Sequence, residues 1–413
     1  MKILILNHSD NVGGAARAAY RLHMLFKQKF ANSEMFVRVK KSDSSSVYTP
    51  KGIYSFLSKI RYPLSKFILK KLLHIWKQDL ISLNMIPSSL SRIINESDAD
   101  IVNIHWVAGE TISFKDLSRI KKPLVWTMHD MWPFIGAEHY IDESRTDWLC
   151  GYKNLFGKVG IINRYLWRKK LKTYSRLNIC FVSPSKWLAE KAKLSGLLQG
   201  MRIEVIPNPI NFDIFKPLDK EFARKALNLS LSSKIILFGA VGGVNDQRKG
   251  YTLLYESLMH LSDKISNKEN IECVFFGQSE QPKEFAPLPF KCTWFGVVND
   301  DVSLSLLYNA ADITVVPSRM ENLPQICTEA QSCGCPVVAF NTTGISETIE
   351  HNKTGYLANA FDTLDLSKAM YTLLFNNDLN KMFSANASER ARFLWNGDSI
   401  AKKYESIFSS LKE

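Results

Sequence analysis

The sequence predicts an α/β protein built from two doubly wound, Rossmann-like domains. Short apolar runs rich in β-branched residues alternate with longer amphipathic segments, which is the pattern of strands and helices around a parallel sheet. This alternation stops once, near residue 210, and then starts again. The chain has 413 residues, which is more than one hydrophobic core usually holds. We therefore expect two sheets rather than one.

The first half carries six short apolar runs that predict one parallel sheet. An amphipathic segment from Ala15 to about Lys29 follows the first run and is expected to form a helix. The predicted strands are Lys2–Leu6, Met35–Val39, Ile101–His105, Leu124–Met128, Ile179–Ser183 and Ile203–Pro207.

A proline-rich segment separates the two halves. Asn208-Pro209-Ile210-Asn211 and Phe215-Lys216-Pro217 interrupt both periodicities, so we place the domains at 1–212 and 213–394. The second half then repeats the alternation, with predicted strands Ile235–Gly239, Glu272–Gly277, Cys292–Phe295 and Asp312–Val316, and predicted helices over Thr252–Leu261 and from Ser303.

Composition and termini indicate a folded cytoplasmic protein. Hydrophobic residues make up 46% and aromatic residues 11% of the chain, as in globular proteins. No apolar run reaches the roughly 18–20 residues needed to cross a bilayer, and the first ten residues, MKILILNHSD, are too polar for a signal peptide. The seven cysteines form no paired C-x2-C motif, so we expect them to pack rather than bind metal.

Charge is divided unevenly between the two halves. Residues 1–212 hold 33 Lys and Arg against 16 Asp and Glu, a balance of +17. Residues 213–413 hold 20 against 24, a balance of −4, which together give the net charge of +13. A basic half suggests an anionic partner, and nucleic acid and an anionic membrane surface are the two candidates.

The stretch VPSRMENLPQICTEAQSCGCPVVA, residues 316–339, is the most informative part of the chain. It predicts a strand, a loop, a helix near Pro324 and a further strand. Glu321 in the loop and Glu329 in the helix have seven residues between them. A helix N-terminus attracts anions, and carboxylates accept hydrogen bonds from sugar hydroxyls.

This stretch resembles the signature of retaining GT-B glycosyltransferases of family 4, P-S-x-x-E-x7-E-A-x-x-x-G-x-P-V-V. Nine positions match, namely Pro317, Ser318, Glu321, Glu329, Ala330, Gly334, Pro336, Val337 and Val338. The resemblance implies two domains facing a cleft, with a terminal helix, about 395–413, that packs back on the first domain. It also implies that Glu329 binds the ribose of a nucleotide. Glu321 and the amides of Asn322, Leu323 and Gln325 would then bind the donor sugar.

Arg248 and Lys249 follow the predicted strand Ile235–Gly239 and a glycine-containing loop. By resemblance they hold the diphosphate of the donor, where fixed cations stabilise the charge that develops as the sugar–phosphate bond breaks. One position departs from the family, because Ala240 replaces the usual Arg that follows the strand. We expect Arg248 to take over that role.

Two further segments of the first domain lie where ligands are expected. Gly13 and Gly14 precede a predicted helix and, by resemblance, form a loop near the donor diphosphate and the acceptor. Their spacing does not match the G-x-G-x-x-G of NAD-binding folds. His129 ends a strand within TMHDMWPF, a segment similar to family-4 enzymes that build bacterial surface polysaccharides. We expect His129 to form a hydrogen bond in the sugar site.

Neither a metal nor another cofactor is expected. Asp98-Ala99-Asp100 has the spacing of a metal-binding D-x-D motif, but it precedes a strand and is interpreted as structural. Two basic stretches, residues 59–77 and 164–176, interleave Lys with apolar residues and could lie on an anionic bilayer or pack on their own domain. For 164–176 we favour packing, whereas for 59–77 both readings stay open.

The sequence as a whole predicts a metal-independent, retaining hexosyltransferase with His129, Glu321, Arg248 and Lys249 at the reacting centre. The resemblance implies a UDP- or GDP-sugar donor and a lipid-linked saccharide acceptor at the inner face of the cytoplasmic membrane. It also implies a role in O-antigen, capsule or exopolysaccharide assembly. A GT-B nucleotide-sugar epimerase is the alternative, and a nucleic-acid-binding protein is a less favoured one because no recognised motif supports it.

Overall fold

The computed structural model describes residues 1–30, 32–50, 53–72, 81–239 and 246–413. The chain divides into two compact units: unit 1 is Met1–Asn208 with Asp398–Glu413, and unit 2 is Pro209–Gly397. Each unit is an α/β structure with one parallel sheet, of seven strands in unit 1 and six in unit 2. The predicted fold class, two Rossmann-like doubly wound domains, is thereby confirmed.

The strands are short, and five of the thirteen in the described part of the chain, namely β4, β5, β6, β11 and β12 in the numbering that follows, are buried at every position. Their bounds are β1 (Ile3–Ser9), β2 (Ser33–Val39), β3 (Val47–Tyr48), β4 (Ile101–Ile104), β5 (Leu124–Thr127), β6 (Ile179–Ser183), β7 (Ile203–Val205), β8 (Lys234–Gly239), β9 (Ile271–Phe276), β10 (Lys291–Trp294), β11 (Ile313–Val316), β12 (Val337–Phe340) and β13 (Gly355–Ala358).

Helices connect the strands and cover the sheets. Their bounds are α1 (Gly14–Phe30), α2 (Ile53–Phe67), α3 (Leu90–Glu96), α4 (Phe114–Leu117), α5 (Gly157–Tyr174), α6 (Lys186–Leu194), α7 (Lys220–Ala226), α8 (Tyr251–Ser262), α9 (Asp301–Ala310), α10 (Gln325–Ser332), α11 (Ile345–Thr348), α12 (Thr363–Phe375), α13 (Asn377–Leu394) and α14 (Gly397–Lys412).

The strand order identifies where ligands should bind in each unit. Unit 1 has the order β3-β2-β1-β4-β5-β6-β7, and unit 2 has β10-β9-β8-β11-β12-β13. The order therefore reverses direction between β1 and β4, and again between β8 and β11. In open parallel sheets, ligands bind beyond the carboxyl ends of the strands at such a reversal.

The terminal helix α14 belongs to the core of unit 1. Tyr404 and Phe408 of α14 both pack edge-on against Phe26 of α1, with ring centroids 5.3 and 5.4 Å apart. All three side chains are buried. Close packing of three aromatic rings contributes both apolar burial and favourable edge-to-face geometry, so α14 is an integral part of this unit.

The Asp98-Ala99-Asp100 segment binds lysines at the start of the sheet. Asp98 forms an ion pair with the Lys2 side chain, at 2.6 Å, and Asp100 accepts a hydrogen bond from the Lys2 backbone N–H at 2.7 Å. Lys412 of α14 also contacts Asp100, at 3.1 Å. These contacts give the segment a structural role.

The two basic stretches become helices of different kinds. Residues 164–176 fall mostly in α5, which buries Leu166, Lys170 and Tyr174 against its own unit. Of residues 59–77, the described part forms the end of α2 and a π-helical turn, Ile68–Leu72. Residues 73–77 lie outside the described residues.

Candidate functional site

The site in unit 2 centres on a contact between two residues that the sequence placed in one ligand site. The Lys249 ammonium donates a hydrogen bond to Glu321 Oε1 at 2.5 Å, although the two residues are 72 positions apart. The carboxylate side chain is largely buried, and the lysine side chain is partly exposed. The cation predicted to bind the diphosphate and the carboxylate predicted to bind the sugar are thus brought together at the carboxyl ends of β8 and β11.

A short turn positions the two cations. Arg248 and Lys249 belong to a 3-10 turn, Gln247–Lys249, whose N-cap Asp246 accepts a hydrogen bond from the Arg248 backbone N–H at 3.1 Å. The Arg248 guanidinium also forms an ion pair with Asp246, at 2.6 Å. Both predicted diphosphate ligands therefore contact carboxylates. Ala240, the departure from the family pattern, lies outside the described residues.

Gly250 lets this turn approach the loop after β11. Its backbone has φ of +70°, and a Cβ at this position would lie 2.0 Å from the Pro317 carbonyl oxygen. Only glycine accepts both conditions, because other residues disfavour positive φ and carry a Cβ. The Arg248 carbonyl also accepts a hydrogen bond from the Arg319 N–H at 2.6 Å. The two loops are therefore joined by their backbones.

The loop that carries Glu321 packs on the turn after β12. Thr343 Oγ1 accepts a hydrogen bond from the Glu321 N–H at 3.1 Å, and the Glu321 carbonyl accepts one from the Gly344 N–H at 3.1 Å. A Cβ on Gly344 would lie 1.5 Å from the Asn322 carbonyl oxygen. Thr343 has φ of +47°, which is uncommon for a β-branched residue and often marks a functional site.

Glu329 lies inside α10, four positions after the helix begins at Gln325. Its side chain is buried, and its Oε2 accepts a hydrogen bond from the Tyr308 hydroxyl at 2.8 Å. The helix begins after Pro324, which occupies the N-cap. Asn322 is buried, and Leu323 and Gln325 are half-buried, so the predicted sugar-binding segment runs directly into the helix.

His129 in unit 1 lies just beyond the carboxyl end of β5 and contacts a second histidine. His129 Nε2 and His105 Nδ1 are 2.9 Å apart, and the two rings stack with centroids 5.2 Å apart. His105 follows β4 and is fully buried. Burial lowers the pKa of His129 to about 4 and holds the pKa of His105 well below its ordinary value. Both rings are therefore neutral near pH 7.

The Gly13-Gly14 loop follows β1 and leads into α1. Gly13 has φ of +85°, and no atom lies within 4 Å of an added Cβ at either glycine. The loop is tied to the rest of the unit by Asp10, which accepts hydrogen bonds from the backbone N–H groups of Lys41 and Ser42 at 2.8 and 2.9 Å. The open space above the glycines is consistent with the approach of a ligand.

A buried polar cluster beside His129 was not predicted. Asp130 accepts hydrogen bonds from Trp106 Nε1 at 2.8 Å and from His139 Nδ1 at 2.5 Å. The charge and hydrogen bond of His139, together with the bond from Trp106, oppose the effect of burial, and the pKa of Asp130 lies below its ordinary value. Tyr308 and Thr343 were also missed, because no local pattern links either residue to a glutamate far along the chain.

Within the described ranges, no group of three or more His, Cys, Asp or Glu side chains has the arrangement of a metal site. In that same part of the chain, no helix is long and apolar enough to cross a membrane.

Two protein-family models match this chain one after the other. Residues 12–214 match the model of glycosyltransferase family 4, and residues 219–390 match the model of glycosyl transferases group 1. The second match contains Arg248, Lys249, Glu321 and Glu329, and the first contains His129 and the glycine loop.

Curated relatives carry related names. A D-inositol 3-phosphate glycosyltransferase from Thermobispora bispora is 27% identical over 205 residues, which is 47% of each chain. A protein of the same name from Corynebacterium jeikeium is 29% identical over 220 residues, 50% of this chain and 52% of the relative. The chain thus spans about half the length of the curated relatives that it matches.

Two solved structures share the fold over almost the whole chain. HepE from Anabaena, solved with UDP and glucose, has a TM-score of 0.64 at 16% identity, over 99% of this chain and 100% of that one. WaaG, a glycosyltransferase of lipopolysaccharide biosynthesis, has a TM-score of 0.66 at 15% identity, over 98% and 99% of the two chains. These likenesses confirm the predicted GT-B fold class. Because the two family models together cover almost all of residues 12–390, the chain belongs to the GT-B glycosyltransferases with a family 4 first half and a group 1 second half.

Proposed function

We propose that this protein is a retaining hexosyltransferase that uses a UDP- or GDP-sugar. The contact between Lys249 and Glu321, with Glu329 on the adjoining helix, carries this proposal. A cation for the diphosphate, a carboxylate for the sugar hydroxyls and a carboxylate for the ribose are the three groups that a nucleotide-sugar requires. The family match over residues 219–390 supports the same assignment.

We infer from the ion pairs of Lys249 and Arg248 how the donor binds. The donor diphosphate replaces Glu321 and Asp246 as the partner of Lys249 and Arg248, and this exchange frees Glu321 for the sugar hydroxyls. Asn322, Leu323 and Gln325 contribute backbone amides beside it. His129 and the Gly13-Gly14 loop supply the contacts of unit 1 to the sugar and acceptor.

In the transfer step, the bond between the anomeric carbon and the diphosphate oxygen breaks, and a bond to the acceptor hydroxyl oxygen forms on the same face. The acceptor proton passes to a diphosphate oxygen. Arg248 and Lys249 stabilise the negative charge that the leaving diphosphate acquires. Positive charge from these two side chains takes the place that a divalent metal occupies in other glycosyltransferases.

A saccharide acceptor carried on a lipid fits the exposed face of α2. This helix buries Ser58, Arg61 and Ser65, all polar, and turns large apolar side chains to solvent. Phe56 is 64% and Phe67 is 54% exposed. The other exposed apolar side chains on this helix are Leu57, Ile60, Tyr62 and Leu64.

A helix on the surface of a soluble protein normally buries its apolar side chains and exposes its polar ones, and α2 has the reverse arrangement. Lys59, Lys66, Lys70 and Lys71 are exposed around the apolar face. Apolar side chains that insert among acyl chains, ringed by cations that attract anionic headgroups, fit an anionic bilayer. We therefore propose a peripheral location at the inner face of the cytoplasmic membrane.

The pathway that fits a lipid-linked acceptor is assembly of a surface polysaccharide such as O-antigen, capsule or exopolysaccharide. The relatives named for D-inositol 3-phosphate favour a second acceptor class, a phosphorylated polyol. The +17 charge balance of residues 1–212 suits either one, because both the lipid carrier and the polyol phosphate are anionic.

A transfer assay in EDTA tests the activity. UDP- and GDP-hexoses are incubated with lipid-linked oligosaccharide or inositol phosphate, and the anomeric configuration of the product is read by NMR. We expect transfer from one donor with the donor's configuration kept. An inverted product would refute retention, and an epimerised donor without transfer would favour the epimerase.

Vesicle sedimentation tests the membrane surface. We expect binding to vesicles that contain anionic lipid, with loss of binding at high salt and in the variant Phe56→Ser/Phe67→Ser. The matched control is Phe222→Ser, because Phe222 of unit 2 is 59% exposed but lies far from α2 in sequence. Equal binding of the α2 variant and the control would refute this surface, and salt-dependent binding to DNA alone would favour a nucleic-acid partner.

A further inference from the structure

Asn103 in β4 has an amide orientation that its surroundings fix. Its Nδ2 donates hydrogen bonds to the Val125 carbonyl oxygen at 3.0 Å and to Thr127 Oγ1 at 3.1 Å. A carbonyl oxygen can only accept, so the amide nitrogen and not the amide oxygen must face Val125. The Asn103 Oδ1 atom therefore points the other way, toward His105.

His105 is consequently fixed as one tautomer. Its Nε2 lies 3.0 Å from Asn103 Oδ1, an atom that can only accept, so the proton of the neutral ring must be on Nε2. Burial holds the pKa of His105 well below its ordinary value, which excludes the doubly protonated ring near pH 7. The Nδ1 atom of His105 therefore carries a lone pair.

That lone pair faces His129 and sets its tautomer in turn. His129 Nε2 lies 2.9 Å from His105 Nδ1, so His129 must donate from Nε2. We propose that Asn103 and His105 are positioning residues that hold His129 with its proton on Nε2 and a lone pair on Nδ1. His129 would then accept a hydrogen bond from a hydroxyl of the sugar substrate. This last step rests on the proposed function, whereas the tautomer does not.

The chain of hydrogen bonds extends to the terminal helix. Thr127 Oγ1, which accepts from Asn103, also lies 3.0 Å from the Tyr404 hydroxyl of α14. Tyr404 and Thr127 are both buried. Through Tyr404, helix α14 therefore helps to hold Thr127 of β5 and Asn103 of β4 in place. Supporting hydrogen bonds of this kind keep a binding group in one rotamer and one protonation state.

The neighbouring residue Asp130 has three hydrogen-bond donors of its own. Its carboxylate accepts from Trp106 Nε1, His139 Nδ1 and the Trp132 N–H. Its charge raises the pKa of His129, but burial has the larger effect and lowers that pKa to about 4. His129 is therefore neutral at pH 7, and one ring nitrogen can accept from a ligand.

Long-range proton–nitrogen NMR of the ligand-free protein, labelled with ¹⁵N at histidine, tests the tautomer directly. We expect the His129 ring at pH 7 to show a protonated Nε2 and an unprotonated Nδ1. A ring protonated on Nδ1, or on both nitrogens, would overturn the proposal. This readout needs no substrate, so it stands or fails separately from the transferase activity.

Two variants test whether the tautomer matters for transfer. His105→Leu removes the acceptor for Nε2–H, and we expect a mixture of His129 tautomers and a roughly tenfold fall in kcat/KM, about 1.4 kcal/mol. His105→Asn places an amide near the position of Nδ1 and should restore both. Unchanged His23 resonances, from the same unit, show that each variant is folded.

These experiments test the tautomer of His129 and its use in transfer separately. If His105→Leu scrambles the tautomer and kcat/KM is unchanged, the use of the Nδ1 lone pair is refuted. If the wild-type tautomer is the one stated and no nucleotide-sugar supports transfer, the proposed function fails and the positioning roles of Asn103 and His105 remain.

Discussion

The Tyr308 hydroxyl donates a 2.8 Å hydrogen bond to Glu329 Oε2, and both side chains are at most 2% exposed. Tyr308 belongs to α9 and Glu329 to α10, so this bond joins neighbouring helices. The phenol ring is held in turn by Phe215 and Phe276, with ring centroids 6.4 and 6.1 Å away. The Tyr308 hydrogen bond thus fixes the position of one oxygen of the carboxylate assigned to the ribose.

Replacing Tyr308 with Phe should weaken nucleotide binding without unfolding the protein. The ring packing is kept, but Glu329 loses a hydrogen bond of the kind that contributes about 1.5–3 kcal/mol when one partner is charged. We expect the Kd for the nucleotide, measured by calorimetry, to rise about tenfold. An unchanged Kd would show that the Tyr308 bond has no part in orienting Glu329.

Replacing Lys249 with Met should impair the chemical step. Removing a cation that we propose to face the leaving diphosphate should lower kcat/KM by about 10²–10³. Lys353→Met is the matched control, because Lys353 also forms an ion pair with a glutamate, Glu350, but at an exposed site. Steady-state transfer kinetics measure kcat/KM for the two variants. If both values lie within twofold of the wild type, the assignment of Lys249 is contradicted.

Replacing Gly250 with Ala should destabilise unit 2 more than the same change at another positive-φ glycine. Gly296 has φ of +64°, and its added Cβ would meet only a side-chain oxygen at 3.3 Å, whereas that of Gly250 would lie 2.0 Å from backbone. Both variants incur roughly 1–2 kcal/mol of left-handed strain, and Gly250→Ala adds about 1–3 kcal/mol from overpacking. Denaturant unfolding measures the free energy of unfolding of both variants. Equal losses of this free energy would disprove the close approach of Gly250 to the Pro317 carbonyl.

The stability of unit 1 should fall in mild acid because of His23. This buried ring lies between Ser33 Oγ, at 2.9 Å, and Ser46 Oγ, at 2.8 Å, and burial lowers its pKa to about 4. The folded state therefore binds this proton more weakly than the unfolded state. The stabilisation is complete above about pH 6.5 and is lost as the pH falls toward 4.

A shift from 6.5 to about 4 corresponds to roughly 3 kcal/mol. The measurement is the free energy of unfolding at pH 7 and at pH 4. Between these pH values, His23→Gln should lose roughly 3 kcal/mol less of this free energy than the wild type loses. The pKa values of His8 and His129 are lowered to about 4 as well, so a smaller slope should remain. Identical pH slopes for the two proteins would exclude this role of His23.

Much of the fold followed from the pattern of the sequence. Apolar runs such as Ile101–His105 and Ile235–Gly239 predicted strands, and the central strands β4 and β8 lie there. Central strands are buried on both faces, so they carry continuous apolar runs that stand out. The strand β13, with the sequence GYLA, was missed because one glycine and one alanine leave no such run. Gly355 is required there, since its Cβ would lie 2.2 Å from the Val337 carbonyl oxygen.

The sequence indicated which site residues to examine but not what holds them. Lys170 lies in a basic stretch interpreted as a packed helix, but the interpretation did not indicate that its ammonium is buried and donates to the Ile135 and Gly136 carbonyls at 3.0 and 2.7 Å. The contact of Thr343 with Glu321 likewise depends on two loops that only the folded sheet brings together. Such long-range pairs leave no local pattern in a single sequence.

The central claim is that unit 2 binds a nucleotide-sugar through Glu329. Calorimetric titration with UDP, GDP, UDP-hexoses and GDP-mannose in EDTA tests it most directly, with Glu329→Ala and the exposed control Glu256→Ala in parallel. We predict metal-independent binding of one nucleotide that Glu329→Ala abolishes and Glu256→Ala keeps. Equal affinity in the wild type and Glu329→Ala, or no binding of any of these nucleotides, would contradict the account.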